Sequence, residues 1–284
     1  MSQALDDLVK LLDLEKLDND VFRGFSPDEK RKRVFGGQVA GQALIAAGRT
    51  VEVAKQVHSL HAYFLRPGDP KVPITFEVDR IRDGKSFTTR RVVAKQHDIP
   101  IFNLSASFHI EEEGVSHQAP MPEVPPAEGL PTFMERMAPW AHSMGDWYEK
   151  PRAIDMRYVD PPNMAKEMGA REPKSRVWMR ADGKLPNDPL LHCAVVAYAS
   201  DMTILDSTML PHRIGWNQPG LMVASLDHAM WFHRKFRADE WFLYSQGSPS
   251  AFGGLAMARG KIYTHDRRLA VSVVQEGLLR VPKE

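Results

Sequence analysis

The chain has 284 residues, 43% of them hydrophobic and 26% charged, and at roughly 150 residues per domain that is one large domain or two small ones with ample core. Lys and Arg number 37 against 36 Asp and Glu, so the net charge of +1 gives none of the basic surplus that a nucleic-acid partner uses. One cysteine, Cys193, excludes internal disulfides and multi-cysteine metal sites, and no run reaches ~18 uninterrupted apolar residues, so neither a disulfide scaffold nor a membrane span is expected.

Residues 5–17 space Leu5, Leu8, Val9, Leu12 and Leu17 by three or four, which predicts a short amphipathic helix. The segment before it, Met1-Ser-Gln-Ala, has no basic stretch followed by an apolar run, so no signal peptide is expected. From Gly36 to Gly48, eight of 13 residues are Gly or Ala. Glycine costs a helix about 1 kcal/mol relative to alanine, which is tolerable where another backbone must come close. Val39, Ala40, Ala43, Leu44, Ala46 and Ala47 predict a buried helix pressed on a sheet rather than a loop.

Strand signals follow. Ile74, Phe76 and Val78 alternate with polar residues, as do Phe102, Leu104, Ala106 and Phe108. Turns fall at Pro67-Gly68-Asp69, Asp83-Gly84-Lys85 and His97-Asp98. Period two between such turns predicts an antiparallel sheet. Residues 113–152 then hold seven prolines, which read as a linker draped over the surface.

After the linker the order repeats. A helix is expected from about Pro189 to Leu205, with strands over 221–233, 241–250, 255–264 and 269–279. His61-Ala62 with Phe64 and Arg66 echoes His228-Ala229 with Phe232 and Arg234. The expected architecture is α+β: a unit over 1–112, a linker over 113–152 and a second unit over 153–284.

Several chemistries lack their motifs. There is no Gly-x-Ser-x-Gly, no phosphate-binding glycine loop and no His-Glu-x-x-His. No metal and no cofactor is therefore expected. His58 and His61 would point to opposite strand faces, and Cys193 in Cys193-Ala-Val-Val-Ala197 reads as a small core residue.

Three residues stand out. Asp201 shares a helix face with Ala194, Ala197, Tyr198, Ile204 and Leu205, where an ionised carboxylate is costly without partners. A helix-end aspartate that turns to solvent or caps the next segment would read the same way. Gln275 has the strand parity of Leu269, Val271 and Val273, so its amide either faces inward or sits at a solvated strand end before Gly277. Ser225 opens the strand Ser225-Leu-Asp-His-Ala-Met-Trp-Phe and could be structural. An acid, a hydroxyl and an amide together suit the activation of water, although spacing alone does not bring them together.

The motifs Phe35-Gly-Gly-Gln38, His58-Ser-Leu-His-Ala-Tyr-Phe-Leu-Arg-Pro-Gly68, Ala199-Ser-Asp201, Asp227-His-Ala-Met-Trp-Phe-His-Arg234 and Val274-Gln-Glu-Gly277 resemble the acyl-CoA thioesterase II family. That resemblance covers nearly the whole chain. It implies a double hot-dog fold, in which each of two fused units wraps an antiparallel sheet round a long helix. It implies hydrolysis of acyl-CoA thioesters to free acid and CoA, with Asp201 as base and Ser225 and Gln275 as its companions. Aligning Ala106-Ser-Phe with Val274-Gln-Glu sets Ser107 opposite Gln275. One site per chain is then expected, with the N-terminal unit serving structure and acyl binding.

The resemblance further implies a homo-oligomer and a role in lipid metabolism. Some relatives are peroxisomal, but Val281-Pro-Lys-Glu284 lacks a Ser-Lys-Leu-type address, so the cytoplasm is expected. Two rival readings remain. A hot-dog enoyl-CoA hydratase would carry Asp-x-Asn-Pro-Leu-His, and Asn187-Asp-Pro-Leu-Leu-His192 is a scrambled partial match. A catalytically silent acyl-CoA-binding protein is the other.

Overall fold

The computed structural model describes residues 2–27, 32–162, 164 and 169–282. Ser2 caps α1 (Gln3–Leu12) by accepting the Leu5 N–H, and Leu5, Leu8 and Leu12 are buried. The helix stops at Asp13, short of the expected Leu17; Glu15–Asp18 is instead the edge strand β1, paired with β2 (Val21–Gly24).

The Gly/Ala segment is α2 (Gly36–Gly48), buried from Gly37 to Ala47. Its glycines serve a different contact from the expected one. A Cβ on Gly37 would lie 2.4 Å from the Tyr198 carbonyl oxygen, and one on Gly41 would lie 3.0 Å from that of Ala194. Both carbonyls belong to α6 (Pro189–Ser200), the long helix of the second unit, which packs antiparallel to α2. Small residues let the two helix backbones touch, as well as letting α2 lie on the sheet.

After α2 come β3 (Lys55–Phe64), β4 (Ile74–Asp83), β5 (Phe87–Gln96) and β6 (Ile99–Ile110). His97 and Asp98 form the β5–β6 hairpin, both with left-handed φ, as a two-residue turn requires. The proline-rich segment is packed rather than loose. Trp178 donates its indole N–H to the Pro125 carbonyl, Tyr263 its hydroxyl to that of Pro120, and Arg267 pairs with Glu123. Met121 and Ala127 thereby share a small second core with Trp178, Leu243, Tyr263 and Leu269. The same segment also holds helical turns, α3 (Phe133–Met137), α4 (Ala141–Met144) and α5 (Asp146–Glu149), the first with a Thr132/Glu135 capping box.

The second unit contributes β7 (Ile154–Tyr158), β8 (Lys174–Ala181), α6, α7 (Asp206–Met209), β9 (Met222–Ser225), β10 (Asp227–Phe232), β11 (Phe242–Phe252), β12 (Leu255–Thr264) and β13 (Leu269–Arg280). The expected helix to Leu205 ends five residues early. Met202 N–H reaches back to the Ala199 carbonyl, tightening the chain into turns before α7. The expected strand over 221–233 is broken at Leu226 into β9 and β10.

Among the described residues, one sheet of 13 strands runs β1-β2-β4-β5-β6-β3-β10-β13-β12-β11-β8-β7, with β9 added on β13. The order is symmetric about the β3–β10 seam, where Ala229 faces His61 and Met230 faces Leu60. Each half wraps its own long helix. This is the double hot-dog fold.

Candidate active site

Asp201, Ser225 and Gln275 converge at the junction of the two units. Asp201 ends α6 as its C-cap residue, Ser225 is the last residue of β9, and Gln275 lies within β13. Ser225 pairs with Gly277 across the β9–β13 ladder, which brings its hydroxyl beside Gln275. Ser225 Oγ donates to Asp201 Oδ1 at 3.0 Å. Gln275 Nε2 donates to the same Oδ1 at 3.0 Å and to Ser225 Oγ at 2.8 Å. The other carboxylate oxygen, Oδ2, accepts the Gly37 backbone N–H at 2.8 Å.

That last bond crosses the units. Helix α2 has no side-chain N-cap of its own, since Phe35 stands at that position. Asp201 supplies the missing acceptor, and the positive end of the α2 dipole faces its carboxylate. Burial pushes the Asp201 acid above the ordinary carboxylate value, while His228, Gln275, Ser225 and the Gly37 N–H pull it back. A carboxylate so raised is a better proton acceptor near neutral pH than an exposed one.

Asp201 and Ser225 line a cleft of about 640 Å³, walled from the first unit by Phe35, Gly36 and Phe64. Lys32, Arg33 and Arg66 sit on the same cleft. Gln275 does not line it; its side chain is fully buried behind the other two. A second cavity of about 380 Å³ adjoins, sharing Met202 and Trp216 with the cleft and lined by Met137, Met144 and Met164.

Two contributors were not singled out from the sequence. One is the Gly37 N–H, which no side-chain pattern reveals. The other is His228, fully buried, whose Nδ1 is hydrogen-bonded to Gln275 Oε1. Its parity with the buried Met230 and Phe232 was the available signal.

The register also corrects one pairing. The β5–β6 turn has two residues, whereas the β12–β13 turn has three, with Arg267 left-handed and the Thr264 N–H bonded to the Arg268 carbonyl. That extra residue shifts β13 by one relative to β6. The counterpart of Gln275 is therefore Ala106, not Ser107; Ser107 points to the other face and meets His58 Nε2 at 2.8 Å. The His-Ala echo is likewise one residue out, for His61 faces outward and His228 inward. Across corresponding strands, the row His228–Gln275–Ala258 matches Leu60–Ala106–Arg90. At the position that Ala258 occupies beside Gln275, the first unit holds Arg90, buried and bonded to Thr50 Oγ1, the Thr50 carbonyl and Asp83.

Other sequence candidates serve structure. Cys193 packs against the core, and burial pushes its thiol up to about 12. Asp188 caps α6 at Leu190, and His192 Nδ1 accepts the Ala238 N–H; both lie toward the end of α6 away from Asp201, roughly 20 Å and roughly 14 Å off respectively by helix rise. Among the described residues no helix is long and apolar enough to cross a membrane.

Residues 27–109 match the family profile described as acyl-CoA thioesterase N-terminal domain, and residues 149–278 match that described as acyl-CoA thioesterase. Acyl-coenzyme A thioesterase 8 of Homo sapiens is 42% identical, over 95% of this chain and 88% of that protein. Acyl-CoA thioesterase 2 of Haemophilus influenzae is 36% identical over 99% of each chain. The crystal structure of acyl-CoA thioesterase II TesB2 from Mycobacterium marinum superposes with a TM-score of 0.80 at 44% identity, over 98% of both chains. By profile, sequence and structure together, the chain belongs to the acyl-CoA thioesterase II family.

Proposed function

We propose that this thioesterase hydrolyses acyl-CoA to free fatty acid and CoA with a water molecule activated by Asp201, assisted by Ser225 and Gln275. The observation that carries the reading is the three-way hydrogen-bonded cluster at the wall of the inter-unit cleft. Water sits beside the cleft-facing edge of Asp201 and Ser225. Asp201 takes its proton as the water oxygen attacks the thioester carbonyl carbon. The tetrahedral intermediate collapses with cleavage of the C–S bond, and the proton on Asp201 passes to the departing CoA sulfur. A thioester carbonyl is electrophilic enough for this chemistry to draw on no metal or cofactor.

Ser225 Oγ gives its hydrogen to Asp201 and accepts one from Gln275, which leaves it one lone pair to orient water. The basic rim of Lys32, Arg33 and Arg66 suits the phosphates of CoA. The methionine-lined second cavity suits the acyl chain. It is walled by the segment between the units and by the second unit, so acyl binding is not left to the N-terminal unit.

The same reading divides the chain at 112 and 152 into two units and a connecting segment. It includes a cytoplasmic location, a role in lipid metabolism and a homo-oligomer. Thiol trapping of released CoA, with wild type and Asp201→Asn side by side, tests the function. Rapid release by wild type, and release slower by roughly 10²-fold or more in the variant, is expected. Hydration of crotonyl-CoA without thiol release would favour a hydratase, and binding without turnover a silent binder.

A further inference from the structure

We propose that His228 is a positioning residue for this reaction: it fixes the orientation of the Gln275 amide, so that both amide hydrogens are aimed at Asp201 and Ser225. The proposal rests on the reading of Asp201, Ser225 and Gln275 given above and extends it by one shell.

The hydrogen-bond chemistry leaves little freedom. Asp201 Oδ1 and Ser225 Oγ both lie on the Nε2 side of Gln275, and an ionised carboxylate only accepts. The amide nitrogen must therefore face them, and Oε1 must face away. Oε1 meets His228 Nδ1, so that ring nitrogen carries the proton in either charge state of the imidazole. The other ring nitrogen, Nε2, lies 2.8 Å from Ser200 Oγ. Ser200 satisfies it either way: it donates to a bare Nε2, or it accepts from a protonated one and donates to the Ala197 carbonyl 3.0 Å away. Ser200 is itself fixed, since its carbonyl accepts the Tyr244 hydroxyl.

Without the Nδ1 donor a second arrangement becomes accessible. The amide can turn over, taking a hydrogen bond from Ser225 on Oε1 and setting that oxygen against the Asp201 carboxylate. Asp201 would then lose both side-chain donors. His228 opposes this rearrangement because a turned amide would bring an N–H against the Nδ1–H, and relief would require a second, concerted change that moves the ring proton to Nε2.

The molecule contains its own comparison. In the first unit the row is Leu60–Ala106–Arg90, in the second His228–Gln275–Ala258. The unit without the amide also lacks the histidine, at the position directly beside it. A histidine needed only to fill the core would have no reason to accompany the glutamine. Neither His228 nor Gln275 lines the cleft, so both act through Asp201 and Ser225 rather than on substrate.

The test is a set of variants assayed by thiol release, with folding followed by thermal melts. His228→Leu introduces the side chain of the sister position. It should lower kcat by roughly 10²-fold, the scale of losing one positioned polar group, while KM moves less than about twofold. His228→Asn restores an N–H at the Nδ1 position and should recover most of kcat; His228→Gln, whose donor lies one atom further out, should not. In a Gln275→Ala background His228→Leu should have no further effect on kcat, because its only target is gone. Wild-type kcat in folded His228→Leu, additive losses in the double variant, or equal behaviour of the Asn and Gln variants would overturn the proposal. If His228→Leu does not fold, the Asn and Gln pair decides it. Wild-type turnover in Asp201→Asn and Gln275→Ala would instead overturn the reading beneath it.

Discussion

Asp201 of the second unit caps the long helix of the first: its Oδ2 accepts the Gly37 N–H at 2.8 Å. The carboxylate proposed as the base is thus held by a helix that contributes no side chain to the Asp201–Ser225–Gln275 cluster. The fusion of two units gives the site a wall, a dipole and a backbone donor that one unit alone would lack.

Gly36 is the point at which this arrangement is most sensitive. A Cβ there would lie 2.7 Å from Asp201 Oδ2 and 2.8 Å from the Phe64 ring. Asp201 is the movable partner, but moving it breaks hydrogen bonds to Gly37, Ser225 and Gln275. Gly36→Ala should therefore lower kcat by about tenfold or more, consistent with loss of a fixed geometry, while far-ultraviolet dichroism stays native. Unchanged kcat would mean that the carboxylate tolerates displacement from its cap.

Asp201→Asn keeps the shape and loses the base, so turnover should fall by roughly 10²-fold or more with the fold retained. In wild type, activity should fall as pH drops through the raised Asp201 value, because the protonated acid cannot accept water's proton. Stability runs the other way. A carboxyl raised on folding favours the folded state at low pH, and that contribution is lost as pH rises through its folded value. The Asn variant should then melt no lower than wild type at neutral pH. The pH–rate profile and parallel melts check both signs.

Asp206 lies on the wall of the second cavity, where it accepts the Trp216 indole N–H at 2.7 Å. Burial lifts its acid from 3.8 to about 7. The folded protein therefore holds this proton more tightly than the unfolded chain across that window. Its stabilising effect is full below the lower value and gone above the upper one. A shift of this size corresponds to at most about 4 kcal/mol. Asp206→Asn retains an acceptor for Trp216 and should raise the melting temperature at pH 8 relative to wild type, with the difference shrinking toward pH 4. A pH-independent difference would show that Asp206 does not titrate in this range.

The sequence was readable where periodicity and burial agree. The Gly/Ala helix, the alternating strands and the repeat of helix then strands needed only local pattern. Asp201 and Gln275 stood out as polar residues on apolar faces, and the hydrogen bonds that make those positions tenable come from elements 74 and 164 residues away. Such partners leave no local trace. The Ser107 pairing failed for a related reason: one residue added in a hairpin turn changes the facing of a whole strand without altering its composition. The helix ending at Ser200 rather than Leu205 was hidden because Ile204 and Leu205 continue the apolar spacing through the turns.

Arg90 separates stability from catalysis. It occupies in the first unit the position that Ala258 occupies beside Gln275, and is only 1% exposed. Its guanidinium donates to Thr50 Oγ1 at 2.8 Å, to the carbonyls of Thr50, Arg82 and Thr89, and to Asp83 at 2.6 Å. These bonds fill the space just beyond α2 that corresponds to the Asp201–Ser225–Gln275 cluster beyond α6. Arg90→Ala would leave a cavity and several buried acceptors without a donor, together with Asp83 deprived of its cation. Breaking a buried ion pair costs about 3–5 kcal/mol, and the half-exposed Asp83 moves this case toward the lower end. The melting temperature should drop by several degrees at least. Because Arg90 touches neither cleft nor Asp201, kcat measured well below the new melting point should stay within about twofold of wild type. A large loss of kcat in protein shown to be folded would mean that the Arg90 cluster of the first unit communicates with the proposed site of the second, and that the two halves are not functionally separable.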